Sequence, residues 1–328
     1  MNKKIIITGA AGFIGFHTAV SYLKKGYLVL GIDNLNDSYD LYLKSERIKK
    51  LKKFDRFSFK KIDISNFKLL SNVFNSFCKQ GLPDAVINLA AKTGVRKSTS
   101  EPYSYYVSNV IGCLNIVKLV NKFNINKLIH ASTSSVYGNS KKKSFSVESE
   151  TSKPVSNYAA SKKSSEILLH AFHELYKMNI IILRFFTVYG PYGRPDMSPF
   201  IFIESNLRKK NINLFGTGNQ KRDFTYIDDI VTGISKSVKL KGFNILNLGN
   251  NNPVRINKLL KNIETLSKIK NKIKKSQSLK EDVDYTSANI NKTKKLISWE
   301  PITNFNEGIT RTFNWHIDNR EWLKKIKI

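Results

Sequence analysis

Residues 8–15, TGAAGFIG, restrict the fold of this chain more than any other segment. Gly9, Gly12 and Gly15 form a G-x-x-G-x-x-G pattern between an apolar run, KIIIT, and a helical pattern near residues 13–25. Glycines allow a sharp turn from a strand into a helix, and they let a pyrophosphate approach the free amides at the helix N-terminus. The segment therefore predicts a dinucleotide-binding turn. The alternative is a tight packing turn that binds nothing.

Two acidic residues follow later apolar runs of this region. Asp33 ends the second run, where a carboxylate is placed to hold the ribose hydroxyls of adenosine. Its charge would repel a 2′-phosphate at close range, which favours NAD over NADP. Asp63 follows the third run and is placed either to meet the adenine edge or to cap the next helix.

Apolar runs and helical patterns alternate as far as residue 187. The runs are KIIIT, YLVLGID, FSFKKID, DAVINLA, KLIHAST and IIILRFF, and helical patterns lie near 13–25, 41–52, 66–79, 104–123 and 157–177. Strands this apolar are covered on both faces, and intervening helices imply a parallel order. We predict an α/β fold, a Rossmann-type doubly wound parallel sheet with a smaller C-terminal substrate-binding domain.

The alternation ends in two loops rich in Gly and Pro, GPYGRPD and LFGTGNQKRDF. The run FNILNLG, residues 243–249, is expected to rejoin the sheet, residues 267–280 to form a surface strand or loop, and residues 305–320 to form a final helix. We predict a dinucleotide-binding domain over 1–187, rejoined by about 225–255. Residues 188–224 and 256–328 are predicted to form the substrate-binding domain.

Composition excludes several classes of protein. The 328 residues include 41% hydrophobic residues, but no apolar run approaches the ~18 residues of a membrane span. The net charge is +30, yet the lysines are spread along the chain and no nucleic-acid-binding module accompanies them. We expect no nucleic-acid partner, no membrane partner and no metal. The N-terminus is a poor signal peptide, and the two cysteines indicate thiols of a cytoplasmic protein.

Two further segments carry chemistry. In NYAASKK, Tyr158 and Lys162 are four residues apart and share one face of a predicted helix. An ammonium near a phenol favours the phenolate, so Tyr158 is a candidate general base. The alternative is an exposed helical pair. The segment STSSVYG, residues 132–138, places four hydroxyl side chains at the end of a strand, where they either bind a substrate or satisfy backbone groups.

These segments together resemble the extended short-chain dehydrogenase/reductases and, among them, the UDP-glucuronate 4-epimerases. The likeness runs nearly the whole chain, through TGAAGFIGFH, GIDNLND, AAKTGVRKS, STSSVYG, NYAASKK, LRFFTVYGPYGRPDMSPF, QKRDFTYIDDI and LNLGNNNPV. The resemblance implies NAD-dependent epimerisation at C4 of a UDP-hexuronic acid through a 4-keto intermediate, interconverting UDP-glucuronate and UDP-galacturonate.

The resemblance also implies site residues. NAD would contact Gly9, Gly12, Phe13, Ile14, Gly15, Asp33, Asp63, Ile64, Lys92, Asn109, Tyr158 and Lys162. The UDP-sugar would contact Arg96, Ser134, Ser135, Thr187, Arg194, Phe200, Arg222 and Asp282. Thr133 would hydrogen-bond the reacting hydroxyl, Tyr158 would be the base, and Lys162 would also hold the nicotinamide ribose. Arg222 would meet the diphosphate and Phe200 the uracil.

The chain departs from related patterns at two places. Thr187 stands where glucose-type epimerases usually have asparagine, which disfavours a neutral hexose. In SLKEDVDY, residues 278–285, Glu281 and Asp284 replace the glycine and proline of the usual Gly-Asp-Val-Pro string. This leaves the nucleotide-binding role of Asp282 open.

The hydroxyl segment lacks a carboxylate, and the resemblance gives this absence a meaning. Related dehydratases and decarboxylases commonly carry an acid immediately before Val-Tyr-Gly, where this chain has Ser135. Neutral donors suit a substrate carboxylate, which an acid would repel. Arg194 is expected to bind that carboxylate through two parallel hydrogen bonds. The alternative is a structural pair with Asp196.

Two other functions remain open from the sequence, a UDP-glucose/UDP-galactose 4-epimerase and a non-catalytic nucleotide-sensing protein on the same fold. We also expect a homodimer. The helices near 104–123 and 157–177 carry apolar faces, and the resemblance implies that they pair with their mates. Those faces include Ile116, Leu119, Ile167, Leu168 and Phe172.

Overall fold

The computed structural model describes residues 3–79, 81–139, 144–277 and 284–328. The strands are β1 (Lys4–Thr8), β2 (Leu28–Asp33), β3 (Phe57–Lys61), β4 (Ala85–Asn88), β5 (Lys127–Thr133), β6 (Asn179–Phe185), β7 (Thr187–Tyr189), β8 (Asn211–Phe215), β9 (Lys221–Arg222), β10 (Phe224–Tyr226), β11 (Phe243–Leu248), β12 (Val254–Arg255) and β13 (Lys272–Ser276).

The helices lie between these strands and after them. They are α1 (Phe13–Lys24), α2 (Leu41–Leu51), α3 (Phe67–Cys78), α4 (Lys97–Ser100), α5 (Pro102–Tyr106), α6 (Gly112–Lys122), α7 (Asn157–Tyr176), α8 (Ser198–Leu207), α9 (Ile227–Ser237), α10 (Ile256–Ser267), α11 (Asn291–Ile297), α12 (Phe305–Asp318) and α13 (Arg320–Leu323). A π-helical turn, Val107–Ile111, joins α5 to α6, and a 3₁₀ turn, Ser134–Tyr137, follows β5.

A seven-stranded sheet forms the centre, in the order β11-β6-β5-β4-β1-β2-β3, and its neighbouring strands are parallel. The order runs outward from β1 in both directions, as in a doubly wound sheet, so all carboxyl ends share one edge. The predicted fold class is confirmed. The run at 243–249 forms β11, at the sheet edge beside β6.

Alternate residues of each strand face opposite layers of helices. On β1, Ile5 and Ile7 pack with the layer that includes α1 and α2, whereas Ile6 packs with the layer that includes α3, α6 and α7. All three isoleucines are fully buried. Burial on both faces explains why these strands are continuously apolar.

The smaller C-terminal part is built from α8, α10 and α12 and a two-stranded pair, β8 with β13. β13 lies within the charged segment expected at 267–280, and α12 accounts for the expected final helix. β7 with β10 and β9 with β12 form two further short strand pairs. The exact division into two domains stays a prediction.

The residues named for the homodimer face in two directions. Ile116 and Leu119 are fully buried against the sheet, so their inclusion in the faces that pair between copies was wrong. Ile167 is 61% exposed. Among the described helices, none has the length and apolar character to cross a bilayer.

Candidate active site

The glycine turn lies at the carboxyl end of β1. Gly9 has φ +70°, and a Cβ there would come within 2.7 Å of the backbone of Leu89 and Ala90. A Cβ on Gly15 would lie 2.0 Å from the Gly9 carbonyl oxygen. Both positions therefore need glycine because two segments of backbone approach closely there. This packing requirement exists beside any ligand-binding role.

The amides at the start of α1 are available to an anion. The first intrahelical bond is from Phe16 N to Gly12 O at 3.0 Å, so the amides of Phe13, Ile14 and Gly15 precede it. Gly12 is the N-cap and supplies no side-chain cap. This arrangement fits the pyrophosphate of a dinucleotide, which needs free amides and the positive end of a helix.

Asp33 is buried at the end of β2, beside the glycine turn. Its carboxylate accepts hydrogen bonds from Ala11 N at 3.0 Å and from Leu35 N at 2.8 Å. Burial raises the pKa of Asp33, and these two amides and nearby Lys44 oppose the rise. The carboxylate therefore already orders the glycine turn, and contact with a ribose would be an additional role.

The loop after β4 is fixed by Asn109, which lies in the π-helical turn. Asn109 accepts from Lys92 N at 2.8 Å, and its amide donates to Lys92 O at 3.0 Å and to Ser161 Oγ at 2.9 Å. Ile64 packs against Gly112 and is almost fully buried. These expected cofactor residues thus connect the sheet edge to α7.

Asp63 does not cap the helix that follows it, which was one of the two expected alternatives. Asn66, not Asp63, caps α3 by accepting from Leu69 N at 3.1 Å. Asp63 instead accepts from Ser65 N at 2.8 Å and from Asn34 Nδ2 at 2.7 Å. A contact between Asp63 and an adenine stays a prediction.

Tyr158, in the first turn of α7, and Thr133, at the end of β5, meet at the sheet edge. Tyr158 is partly exposed, but burial of its hydroxyl raises the pKa of the phenol. The Thr133 hydroxyl and the Arg194 charge oppose that rise. The Arg194 charge thus acts on this phenol. The predicted action of Lys162 on the phenol stays a prediction.

Lys162 is 2% exposed, and its ammonium lies 3.3 Å from His130 Nε2. Burial lowers the pKa of Lys162 to about 8, with Cys113 and Glu166 acting in the opposite direction. Burial and the Lys162 charge also hold the pKa of His130 well below its usual value. His130 is therefore a neutral acceptor for the ammonium.

The hydroxyls of STSSVYG have separate environments. Ser132 is buried and donates to the Glu166 carboxylate at 2.6 Å, so it lies beneath the site. Thr133 accepts from Ser135 N at 3.1 Å and donates to Ser135 Oγ at 3.2 Å. Ser134 and Ser135 are partly exposed at the sheet edge. The backbone-satisfying alternative thus applies in part to Thr133, and the substrate roles of Ser134 and Ser135 stay predictions.

Arg194 lies close enough to Tyr158 to affect the pKa of the phenol. Its Nε donates to Asp196 at 3.0 Å, and its Nη2 donates to the same carboxylate. Its Nη1 donates to Thr93. The pair with Asp196, which the sequence left open, is therefore present, and Arg194 is also at the site.

The residues expected to bind the nucleotide lie on separate elements of the chain. Arg222 lies on β9, and Arg96 has its guanidinium 4.4 Å from the centre of the Phe215 ring. Phe215 is partly exposed, whereas Phe200 is 3% exposed with its ring against His316. Asp282 lies outside the described residues. Phe215 is an aromatic candidate that the sequence analysis did not select.

Thr187 begins β7 and is tied to the buried Asp223. Thr187 N donates to Asp223 O at 3.0 Å, and the Asp223 carboxylate accepts from the amides of Asn250, Asn251 and Ala288. Burial raises the pKa of Asp223 to about 6, against those hydrogen bonds. The Asp of QKRDF is therefore structural, a role that no local pattern revealed.

The arrangement can move a proton. A phenol and a hydroxyl meet at the carboxyl edge of a parallel sheet, beside a glycine turn suited to a dinucleotide, and a buried ammonium lies one turn further along α7. In the described residues, no group of three or more His, Cys, Asp or Glu could hold a metal ion. Fold and site together define an extended short-chain dehydrogenase/reductase.

The chain belongs to the GDP-mannose 4,6 dehydratase family, whose model matches residues 6–312. It is 45% identical over 324 residues to the UDP-glucuronate 4-epimerase of Thermodesulfobacterium geofontis, covering 98% of this chain and 99% of the relative. The predicted resemblance is confirmed by these matches.

Two solved structures are similar over nearly their whole length. One is the UDP-glucuronic acid 4-epimerase of Bacillus cereus in complex with UDP-glucuronic acid and NAD, with a TM-score of 0.89 and 32% identity, covering 96% of this chain and 99% of that one. The other is the UDP-glucose 4-epimerase of Thermotoga maritima with UDP-glucose, with a TM-score of 0.89 and 28% identity, covering 97% and 100%. Both epimerase specificities thus occur on this fold.

Proposed function

We propose that this protein is an NAD-dependent nucleotide-sugar 4-epimerase that interconverts UDP-glucuronate and UDP-galacturonate. The observation that carries the proposal is that Tyr158 interacts with the Thr133 hydroxyl and lies near Arg194 at the sheet edge. The Tyr105 ring packs on Tyr158 and its hydroxyl donates to Thr93 O, while Arg194 donates to Thr93 Oγ1. A phenol can exchange a proton with a sugar hydroxyl, and an arginine beside it suits an anionic sugar. The 45% identity to a UDP-glucuronate 4-epimerase supports the same substrate.

The dinucleotide would lie along the glycine turn. The amides of Phe13, Ile14 and Gly15 would hold its pyrophosphate, Asp33 and Asp63 its adenosine end, and Lys162 its nicotinamide ribose. When bound, NAD supplies reversible hydride transfer at C4 of the sugar. Asn109, through Lys92 and Ser161, keeps the surrounding loop and α7 in register.

Tyr158 would accept the proton of the C4 hydroxyl and return it after the 4-keto sugar has turned its other face. Thr133 would hold the same oxygen. The ammonium of Lys162 would favour the phenolate. The segment STSSVYG contains no acidic residue. It therefore presents hydroxyl donors to a substrate carboxylate instead of a charge of the same sign.

Arg194 would bind the C6 carboxylate together with Thr187, Ser134 and Ser135. Because Asp196 already takes two nitrogens of the guanidinium, the carboxylate must either displace Asp196 or use the Nη1 side, which faces Thr93. Either arrangement leaves a guanidinium of fixed charge near the sugar. A neutral C6 hydroxyl would gain less from that charge.

The nucleotide would extend toward Arg222 and Arg96. Of the two phenylalanines, Phe215 is the better support for a base because its ring is partly exposed beside Arg96, whereas Phe200 is buried against His316. Affinity for UDP, measured by calorimetry, should fall in Phe215→Ala. A matching loss in Phe200→Leu but not in Phe215→Ala would restore the assignment made from the sequence.

Incubation with UDP-glucuronate, UDP-glucose and UDP-N-acetylglucosamine in separate reactions tests the function, with products resolved by chromatography. We expect UDP-galacturonate as the main product, reached from either direction. Preference for UDP-glucose would replace the proposal with the neutral-hexose activity. Absence of turnover on all three, in protein that retains NAD, would favour a nucleotide sensor.

We also propose that the protein is a homodimer. Helices α5 to α7 expose apolar side chains on their outer faces, including Tyr103, Ile111, Ile167 and Leu175. Pairing of these faces between two copies would remove them from water. Light scattering at micromolar concentration should give twice the chain mass, and Ile167→Glu should reduce it. The expected cytoplasmic location stays a prediction.

A further inference from the structure

The loop that leads to Arg194 is held by side chains from the first two helices of the chain. His17, on α1, donates from Nε2 to Pro191 O at 2.8 Å. Arg47, on α2, donates from Nη2 to Tyr192 O at 2.6 Å and to Gly193 O at 3.2 Å. Three consecutive carbonyls, immediately before Arg194, are therefore fixed to the dinucleotide-binding half.

Arg47 holds the glycine turn with the same guanidinium. Its Nη1 donates to Ala11 O at 2.8 Å and to the Tyr39 hydroxyl at 2.6 Å. The side chain is fully buried, and no carboxylate in the described ranges lies within ion-pair distance of it. Its two terminal nitrogens donate to three carbonyls and one hydroxyl, whereas its Nε has no hydrogen-bond partner in the described part of the chain. Placing such a buried cation is costly, and its hydrogen bonds join the glycine turn to the loop before Arg194.

The conformation of the loop 191–193 depends on contacts from other elements. Tyr192 has φ +57°, a left-handed conformation that an aromatic residue rarely adopts. Its ring packs on Phe16, with centroids 4.8 Å apart, and on Trp315 and Trp322 of the C-terminal region. A strained residue persists only where its surroundings determine its conformation, which here are His17, Arg47 and these rings.

We propose that Arg47 and His17 are positioning residues that set the place of Arg194 and tie it to the glycine turn. Neither residue would touch the sugar. Their effect on the reaction would pass through the carbonyls of 191–193 to the guanidinium that selects the substrate carboxylate. The proposal rests on the function proposed above, because it assigns the pair to recognition of C6.

A merely structural role for the pair predicts a different pattern of loss. If Arg47 and His17 only stabilise the fold, their substitution should slow every substrate by the same factor. If they position Arg194, turnover of UDP-glucuronate should suffer more than residual turnover of UDP-glucose. The ratio of kcat/KM for the two substrates separates the two roles.

The test uses full-length Arg47→Lys and His17→Phe. Arg47→Lys keeps the charge but loses the fork that spans two loops, and we expect the kcat/KM ratio to fall about 10- to 100-fold, as for a small misplacement of a reacting group. His17→Phe keeps an aromatic ring and loses one hydrogen bond, with a fall of about 2- to 10-fold. The second variant decides the matter if the first does not fold.

Two control variants remove the same kinds of hydrogen bond to backbone carbonyls at places away from residues 191–193. His173 contacts Met178 O at 2.7 Å, and Arg56 donates to Gly26 O at 2.8 Å. His173→Phe and Arg56→Lys should leave the ratio unchanged. In an Arg194→Ala background, Arg47→Lys should also produce no further change in the ratio, because the group that it positions is gone.

Tryptophan emission gives a readout that does not depend on activity. Trp315 and Trp322 pack on Tyr192, so release of the loop should shift their emission to longer wavelength and increase quenching by acrylamide. Both effects are expected in Arg47→Lys and His17→Phe and in neither control. Equal slowing of both substrates, or wild-type emission in both variants, would overturn the proposal. If the wild type does not accept UDP-glucuronate, the proposed function fails, and the emission comparison alone decides the positioning role.

Discussion

The ammonium of Lys162 lies 3.3 Å from Nε2 of His130, one turn along α7 from Tyr158. Nδ1 of His130 lies 3.1 Å from Nδ2 of Asn88, and the Asn88 side-chain oxygen accepts from the Thr8 hydroxyl at 2.6 Å. The cation beside the candidate base is thus supported by a neutral acceptor at the centre of the sheet. The Lys162 ammonium therefore has a buried imidazole as a hydrogen-bond partner.

The first prediction concerns pH. Because burial lowers the pKa of Lys162 to about 8, its ammonium is present below that pH and is lost as the pH rises through it. Turnover should therefore fall above about pH 8. His130→Phe removes the acceptor of a charged donor and should move this alkaline limb about one unit lower. Profiles of kcat/KM against pH measure the shift, and an unmoved limb in the variant would show that His130 does not tune Lys162.

The second prediction concerns the base. Tyr158→Phe removes only the hydroxyl of a partly exposed side chain, so the fold and NAD retention should persist. Turnover should drop roughly 10²- to 10⁴-fold, the usual contribution of a positioned base. Tyr176→Phe, which alters an exposed tyrosine on the same helix, is the control. Wild-type turnover in Tyr158→Phe, with chemistry shown to be rate-limiting, would assign the proton transfer to another residue.

The third prediction concerns a buried ion pair beneath the site. Glu166 accepts from Arg184 Nε at 2.9 Å and Nη2 at 2.8 Å, and both side chains are almost fully buried. Glu166→Gln leaves the Arg184 charge without its partner and should reduce the free energy of unfolding by about 3–5 kcal/mol. Denaturant titration measures the loss. Glu174→Gln, on the exposed side of α7, should cost under about 1 kcal/mol. Equal losses in the two variants would contradict this account.

The features that the sequence predicted correctly are those written in local patterns. The strands of the sheet are continuously apolar because helices cover both faces. The glycine spacing predicts the turn because only glycine at positions 9 and 15 lets the backbone segments approach so closely. Tyr158 and Lys162 share a helix, so their spacing alone places them on one side. The helical pattern near 104–123 also located α6, but it could not show that Ile116 faces the sheet.

The features that were missed depend on partners distant in the chain. Arg47 reaches carbonyls at 192 and 193, and the Asp223 carboxylate is met by an amide at 288. Lys162 is supported by His130, from another element of the sheet. The residues adjacent to them in the sequence do not indicate such contacts, because the parallel topology, and not the local sequence, brings the partners together. Buried Arg and Asp without a local partner are the weak signal that could have drawn attention to them.

The last prediction concerns Arg194 and the substrate carboxylate. Arg194→Ala should lower kcat/KM for UDP-glucuronate about 10²-fold, because hydrogen bonds to a charged group are lost, and should lower residual UDP-glucose turnover much less. Arg311→Ala removes an exposed arginine that pairs with Glu307, and it should change neither substrate. A 4-keto uronate is a β-keto acid, which loses CO₂ when the C5–C6 bond lies parallel to the carbonyl π orbital. By fixing the carboxylate, Arg194 would hold that bond away from this alignment, so the variant should also release a decarboxylated UDP-pentose. Product analysis by mass spectrometry detects it. If Arg194→Ala slows both substrates equally and yields no pentose, Arg194 acts only through its pair with Asp196.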